Sequence, residues 1–196
     1  NDRSKLPPLE APPTAPYLKR TSGYKIVVFV LKKDNPNPNY VAAKDVKAIT
    51  SWVKAGGTLL IMANDSNNCD LPHLNLLAGA FGVKFTDKSL NMVKNDTYEQ
   101  GVVFPGENNP VFKTTKKMFL KEVSALEIKA PAVANAVKDG DVIIATAVYG
   151  KGKVLIVGDP WLYNEYVDNR KLLPADFQNY KAAEDLVKWL LTPTKR

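Results

Sequence analysis

The stretch DVIIATAVYGKGKVLIVGDP, residues 141–160, decides how the sheet of this chain is read. Two apolar, β-branched runs flank the glycine-bearing turn Tyr149-Gly150-Lys151-Gly152-Lys153, a pattern that predicts an antiparallel hairpin. The second run, Val154 to Gly158, is uninterrupted and stops in Asp159, Pro160, Trp161, Tyr163, Asn164 and Glu165. Continuous apolar character belongs to a strand covered on both faces, as in a parallel sheet. Its sudden end in carboxylates, amides and rings reads as the wall of a cleft.

Working outward, YKIVVFVL (24–31) and TLLIMA (58–63) are two further buried strands. Between them YVAAKDVKAITSWVKAGG (40–57) places Val46, Ile49 and Val53 at helical spacing, with Trp52 beside them and Gly56-Gly57 as the stop. LPHLNLLAGAFG (71–82) predicts a short helix ending at Gly82. FQNYKAAEDLVKWLL (177–191) puts Phe177, Ala183, Leu186, Val187, Leu190 and Leu191 on or near one stripe of an amphipathic helix. From Val83 to about Lys138 the pattern is irregular: FPGENNPVF (104–112) is turn-rich, and MFLKEVSALEIKAP (118–131) is compatible with strands. Strand, helix, strand, helix with short joins is βαβ grammar. The expected fold class is α/β, a mostly parallel sheet flanked by helices, with one antiparallel hairpin.

Composition sets the frame. With 196 residues and 45% hydrophobic content the chain suits one core. Five prolines in the first sixteen residues mark 1–22 as an extended arm or linker, leaving 23–196 as one domain. No window is apolar enough to span a membrane. The chain opens on Asn1 rather than Met, so a targeting segment is not excluded by its sequence. The single cysteine, Cys69, rules out an internal disulfide framework and a cysteine-rich metal site. The net charge of +7 favours anionic partners, but the basic residues are scattered as short pairs and triplets without a reading motif, against nucleic acid.

In an open parallel sheet, ligands sit beyond the carboxyl ends of the strands. Three such ends carry polar clusters: Asp34, Asn35 and Asn37; Asn64, Asp65, Ser66, Asn67 and Asn68; and Asp159, Trp161, Tyr163, Asn164 and Glu165. Large rings beside an amide and carboxylates suit the faces and hydroxyls of a sugar. The ligand-binding candidates are therefore Asn64, Asp65, Asp159, Trp161, Tyr163, Asn164 and Glu165. Competing with that reading, Asn and Asp after a strand cap helices and build turns, and Trp161 can cover the edge of the last helix. Catalytic signals are weak. Ser66 lacks the flanking glycines of a nucleophile elbow, and GKGK closes a hairpin instead of cradling phosphate. A triad from Cys69 and His73, the only histidine, and a glycosidase-type pair from Asp65 with Asp159 or Glu165 are the alternatives. No metal-ligand spacing stands out, and no cofactor is expected.

ITSWVKAGGTLLIMAND, HLNLLAGAFGVKF and GKGKVLIVGDPWLYNEYVDNRKLLPADFQNYKAAEDLVKWLL together resemble a class I glutamine amidotransferase-like domain fused to bacterial unsaturated rhamnogalacturonyl hydrolases. The resemblance implies a doubly wound α/β domain with flavodoxin-like layering, serving as a non-catalytic accessory module in pectin (rhamnogalacturonan) breakdown, periplasmic or secreted. It implies as partner an anionic pectic oligosaccharide or the hydrolase's catalytic domain. True amidotransferases of this class carry a cysteine at the elbow that Asn64-Asp65-Ser66 occupies here, so glutaminase activity is not implied.

Overall fold

The computed structural model describes residues 26–29, 41–160, 166–167 and 170–194. The expected proline-rich arm, the cluster Asp34, Asn35 and Asn37, and the residues Trp161, Tyr163, Asn164 and Glu165 lie outside the described residues.

In chain order the elements are β1 (Ile26–Phe29), α1 (Ala43–Lys54), β2 (Thr58–Met62), α2 (Leu71–Ala78), β3 (Val83–Leu90), β4 (Val102–Val103), β5 (Met118–Phe119), β6 (Val123–Ile128), β7 (Ala132–Lys138), β8 (Asp141–Tyr149), β9 (Gly152–Val157) and α3 (Asn179–Leu191). The Asp45 carboxylate accepts the Ala42 amide at 3.0 Å at the start of α1, and Asp70 accepts the His73 amide at 3.2 Å at the start of α2. After α2 the chain reverses at Gly82, whose φ is +83° and whose missing Cβ would lie 2.3 Å from the Lys129 carbonyl oxygen. A glycine is required there.

The main sheet runs β1-β2-β9-β8-β6-β3, with β7 on β8, and β4 pairs with β5 apart from it. Only β1/β2 and β2/β9 are parallel; β3/β6, β6/β8, β7/β8 and β8/β9 are antiparallel. The doubly wound, mostly parallel, amidotransferase-like α/β sheet expected from the sequence is thus overturned: the sheet is curled, mixed and dominated by antiparallel pairs, with few helices. The physical reason is connection length. Parallel neighbours need a crossover of a dozen or more residues, while a short turn can only return the chain antiparallel. Here β7 and β8 are joined by Asp139 and Gly140, both at positive φ (52° and 89°), the geometry of a two-residue hairpin. β8 and β9 are joined through Gly150 at φ 61°. The buried apolar run of β9 reported coverage on both faces and not strand direction, since β9 has a parallel neighbour on one side and an antiparallel one on the other.

Alternation along β2 and β9 divides the core. Leu59, Ile61, Val154 and Ile156 pack with Ile49 and Val53 of α1 and with Leu71, Leu74 and Leu77 of α2. Leu60, Met62, Leu155 and Val157 pack with Ala182, Leu186 and Leu190 of α3. The stripe expected on α3 is rotated in the structure: Val187 is 42% and Leu191 57% exposed, while Asn179 and Asp185 face inward. Asp185 accepts the amides of Thr114 (2.8 Å) and Thr115 (3.0 Å) and both of their hydroxyls. Asn179 takes the Phe119 amide at 2.7 Å and returns a bond to its carbonyl at 2.9 Å. No helix among the described residues is long and apolar enough to cross a membrane.

Burial raises the proton affinity of Asp185, but the hydrogen bonds from Thr114 and Thr115 outweigh it and hold the carboxyl below its usual range. Its stabilisation is therefore present above the unfolded-chain value near pH ~4 and lost as pH falls through the lower native value. Replacing Asp185 by Ala leaves two amides and two hydroxyls unsatisfied and is expected to cost about 2–4 kcal/mol at pH 7. Urea unfolding from pH 7 down to pH ~2 should show the gap between wild type and variant closing at the acid end.

Candidate functional site

The two strand-end clusters that the structure describes come together. Asn64 and Asp65 follow β2, Asp159 follows β9, and the two strands are parallel neighbours in register at Met62 and Val157. Their meeting place is not open, because β6 lies across it. The Ser124 amide donates to the Gly158 carbonyl at 3.1 Å, and the Ser124 hydroxyl donates to the Asn64 carbonyl at 2.8 Å. The Lys121 amide donates to Asp159 Oδ2 at 2.9 Å. A Cβ on Gly158 would stand 2.2 Å from the Ser124 carbonyl oxygen, so only glycine lets the two backbones approach this closely. β6 takes over from β9 as the neighbour of β8 at this point: Ile144 pairs with Val157, and Val142 with Leu126.

Each carboxylate has a local task. Asp65, 2% exposed, accepts the Asn68 amide at 3.1 Å and its side-chain amide at 2.7 Å, folding the loop back on itself. Asn64 Oδ1 accepts the Asp65 amide at 2.7 Å. Asp159 is fully buried at 0%. Tyr166 packs its ring against Phe119 at a tilt of 58°, with centroids 4.8 Å apart, beside Tyr98 and Phe177. Ser124, Lys121 and Gly158 are the junction residues that sequence reading passed over. Ser124 sits in a plain strand pattern, and only the glycine hints at a close approach.

Cys69 is buried, and burial pushes its thiol up to about 11, so at neutral pH it is the protonated, unreactive form. His73 engages Asp70 through Nδ1 at 2.7 Å, a half-buried i,i+3 pair at the start of α2. Among the described residues no three His, Cys, Asp or Glu side chains gather as a metal set.

A concavity lies at the other end of β9, about 20 Å from Asp159 along the strand. It holds about 640 Å³ between the C-terminal half of α3, the end of β8 and the segments around Pro110–Thr114 and Pro131. Lys153, 5% exposed, lines it. Its ammonium donates to the carbonyls of Trp189 and Thr192 and lies 4.1 Å from the Trp189 ring centroid. A second cleft of about 570 Å³ shares Val148, Thr192, Pro193 and Thr194 with the first and carries Lys151.

A scan against models of protein families finds no match, and a search of curated proteins finds none. Among solved structures the chain is similar to the mmIFT52 N-terminal domain, at 17% identity and TM-score 0.67, covering 91% of this chain and 82% of that one. It is also similar to the cytoplasmic protein STM1381 from Salmonella typhimurium LT2, at 18% identity and TM-score 0.60, covering 95% and 78%. The β-galactosidase from Rahnella sp. R3 matches at 19% identity and TM-score 0.56 over 86% of this chain but only 22% of its own. At these identities the likeness is one of fold, and none of these three points to an amidotransferase.

Two outcomes check this geometry. Gly158→Ala should destabilise the protein by about 2–4 kcal/mol in denaturant unfolding, because neither backbone can yield without breaking the junction. Cys69 should stay unmodified by a thiol-specific disulfide reagent at pH 8 in the native protein and react fully on unfolding.

Proposed function

We propose that the chain is a non-catalytic accessory module of a polysaccharide-cleaving glycoside hydrolase, packing on the catalytic domain or contacting its sugar chain. The observation that carries this reading is the closed junction at the strand ends. Asp65 and Asp159 are 2% and 0% exposed and hold the amides of Asn68 and Lys121. Glycosidic cleavage needs two carboxyls flanking a substrate-filled cleft at about 5–9.5 Å, one of them exchanging protons with the sugar. Buried, amide-locked carboxylates do not serve that chemistry, and the buried Cys69 thiol does not replace them. In support of the enzyme context, the same fold spans 22% of the Rahnella β-galactosidase and 27% of the exo-β-1,4-mannosidase Op5Man5. Within this reading Trp161, Tyr163, Asn164 and Glu165 are the carbohydrate-contact candidates.

The test combines turnover with binding. Rhamnogalacturonan oligosaccharides should show no cleavage, and Asp159→Asn should lower the melting temperature by about 3–10 °C. A saturable tryptophan-fluorescence change on titration, unaffected by salt and lost in Trp161→Ala, selects sugar contact. Its absence, with co-elution on the catalytic domain, selects docking. Turnover that is lost in Asp159→Asn while stability is unchanged would overturn the proposal.

A further inference from the structure

The concavity between α3 and the end of β8 has an apolar body and a positive rim. Val133 and Val148 stand 57% and 59% exposed, and the Trp189 ring lies on the same wall. Single exposed apolar residues are ordinary, but these line one concavity. Its size, about 640 Å³, falls in the range of small-molecule sites, ~300–1,000 Å³. Lys113 and Lys188 line it and are exposed, with no ion-pair partner among the described residues. The carboxylate that lines it, Asp185, keeps its charge while its oxygens are engaged by Thr114 and Thr115, so the lining sets three lysines against one carboxylate and stays positive. At the floor, Lys153 has three donors, of which two are held by the carbonyls of Trp189 and Thr192.

We propose that this groove binds a small amphipathic carboxylate, its apolar body along Val133, Val148 and Trp189 and its anionic head among Lys113, Lys153 and Lys188. Charge decides the class. An apolar cation would meet three ammonium groups against one carboxylate already engaged by Thr114 and Thr115, and a neutral apolar molecule would leave the lysines with water. A carboxylate draws on the positive field and on the remaining Lys153 donor. The adjoining cleft, which adds Lys151 and shares Val148 and Pro193, gives an elongated tail room to extend. The site is remote from the strand-end junction and independent of the function proposed there.

A dansyl-labelled medium-chain fatty acid and its methyl ester separate the charge from the apolar body. The acid should bind saturably at one per chain at low salt, and the ester about tenfold or more weaker. Lys113→Glu with Lys188→Glu should weaken the acid by about tenfold or more and leave the ester unchanged. Val148→Asp should weaken both. These side chains are exposed, so far-UV circular dichroism and the melting temperature should match wild type. Absence of saturable binding, equal binding of acid and ester, or binding untouched by the lysine pair or by Val148→Asp in folded variants would each overturn the site.

Discussion

The approach of β6 to Gly158 is the contact on which the rest of the molecule depends. With no Cβ between them, the Ser124 amide reaches the Gly158 carbonyl and the Ser124 hydroxyl reaches the Asn64 carbonyl. The antiparallel half of the sheet is thereby joined across the carboxyl ends of the two parallel strands, where an open α/β sheet would keep its ligand crevice. Backbone groups left at such an end must find partners. In this chain they find them in β6 and in the loop that leads to it. A junction that satisfies its polar groups internally has little left for chemistry, and the burial of Asp65 and Asp159 is the local result.

The elements with strong periodicity were legible in the sequence: α1 through Ile49 and Val53, β2 and β9 through unbroken apolar runs, and the hairpin through Gly150 and Gly152. Strand direction was not, because a strand buried on both faces looks the same beside a parallel or an antiparallel neighbour. β3 escaped because only Val83 and Phe85 of its eight residues are buried, and the rest read as polar loop. β7 escaped because its inward side is alanine and asparagine. Asn64, Asp65 and Asp159 were placed correctly at neighbouring strand ends. What closes over them comes from Ser124, sixty residues from Asn64, and neither spacing nor composition carries that contact.

Helix α3 shows why an apolar stripe is an incomplete guide to the buried face. Val187 and Leu191 belong to the stripe in the sequence and lie in solvent, while Asn179 and Asp185 lie inside. The polar pair wins because each residue satisfies several backbone groups of a segment that forms few ladder bonds of its own. Asp185 gathers Thr114 and Thr115, and Asn179 completes the pairing of Phe119. Leaving those amides buried and unpaired would cost more than exposing two aliphatic side chains. Helix orientation is set here by directional bonds, with Ala182, Leu186 and Leu190 filling the space that orientation leaves.

Lys153 extends the same logic to the far end of the helix. Burial pulls its amine down to about 8, against an ordinary lysine near 10.5. The Trp189 carbonyl in the last turn of α3 and the Thr192 carbonyl just past it, at the negative end of the helix, together with the face of Trp189, favour the ammonium and oppose that pull. Because the native amine releases its proton first, the unfolded chain binds more protons between about 8 and 10.5, and this group's share of stability rises with pH across that window. At neutral pH the fold therefore holds a cation against a burial penalty. A charge kept under those terms joins α3 to β9 at the floor of the lysine-rimmed groove, so helix docking and the electrostatics of that groove rest on the same side chain.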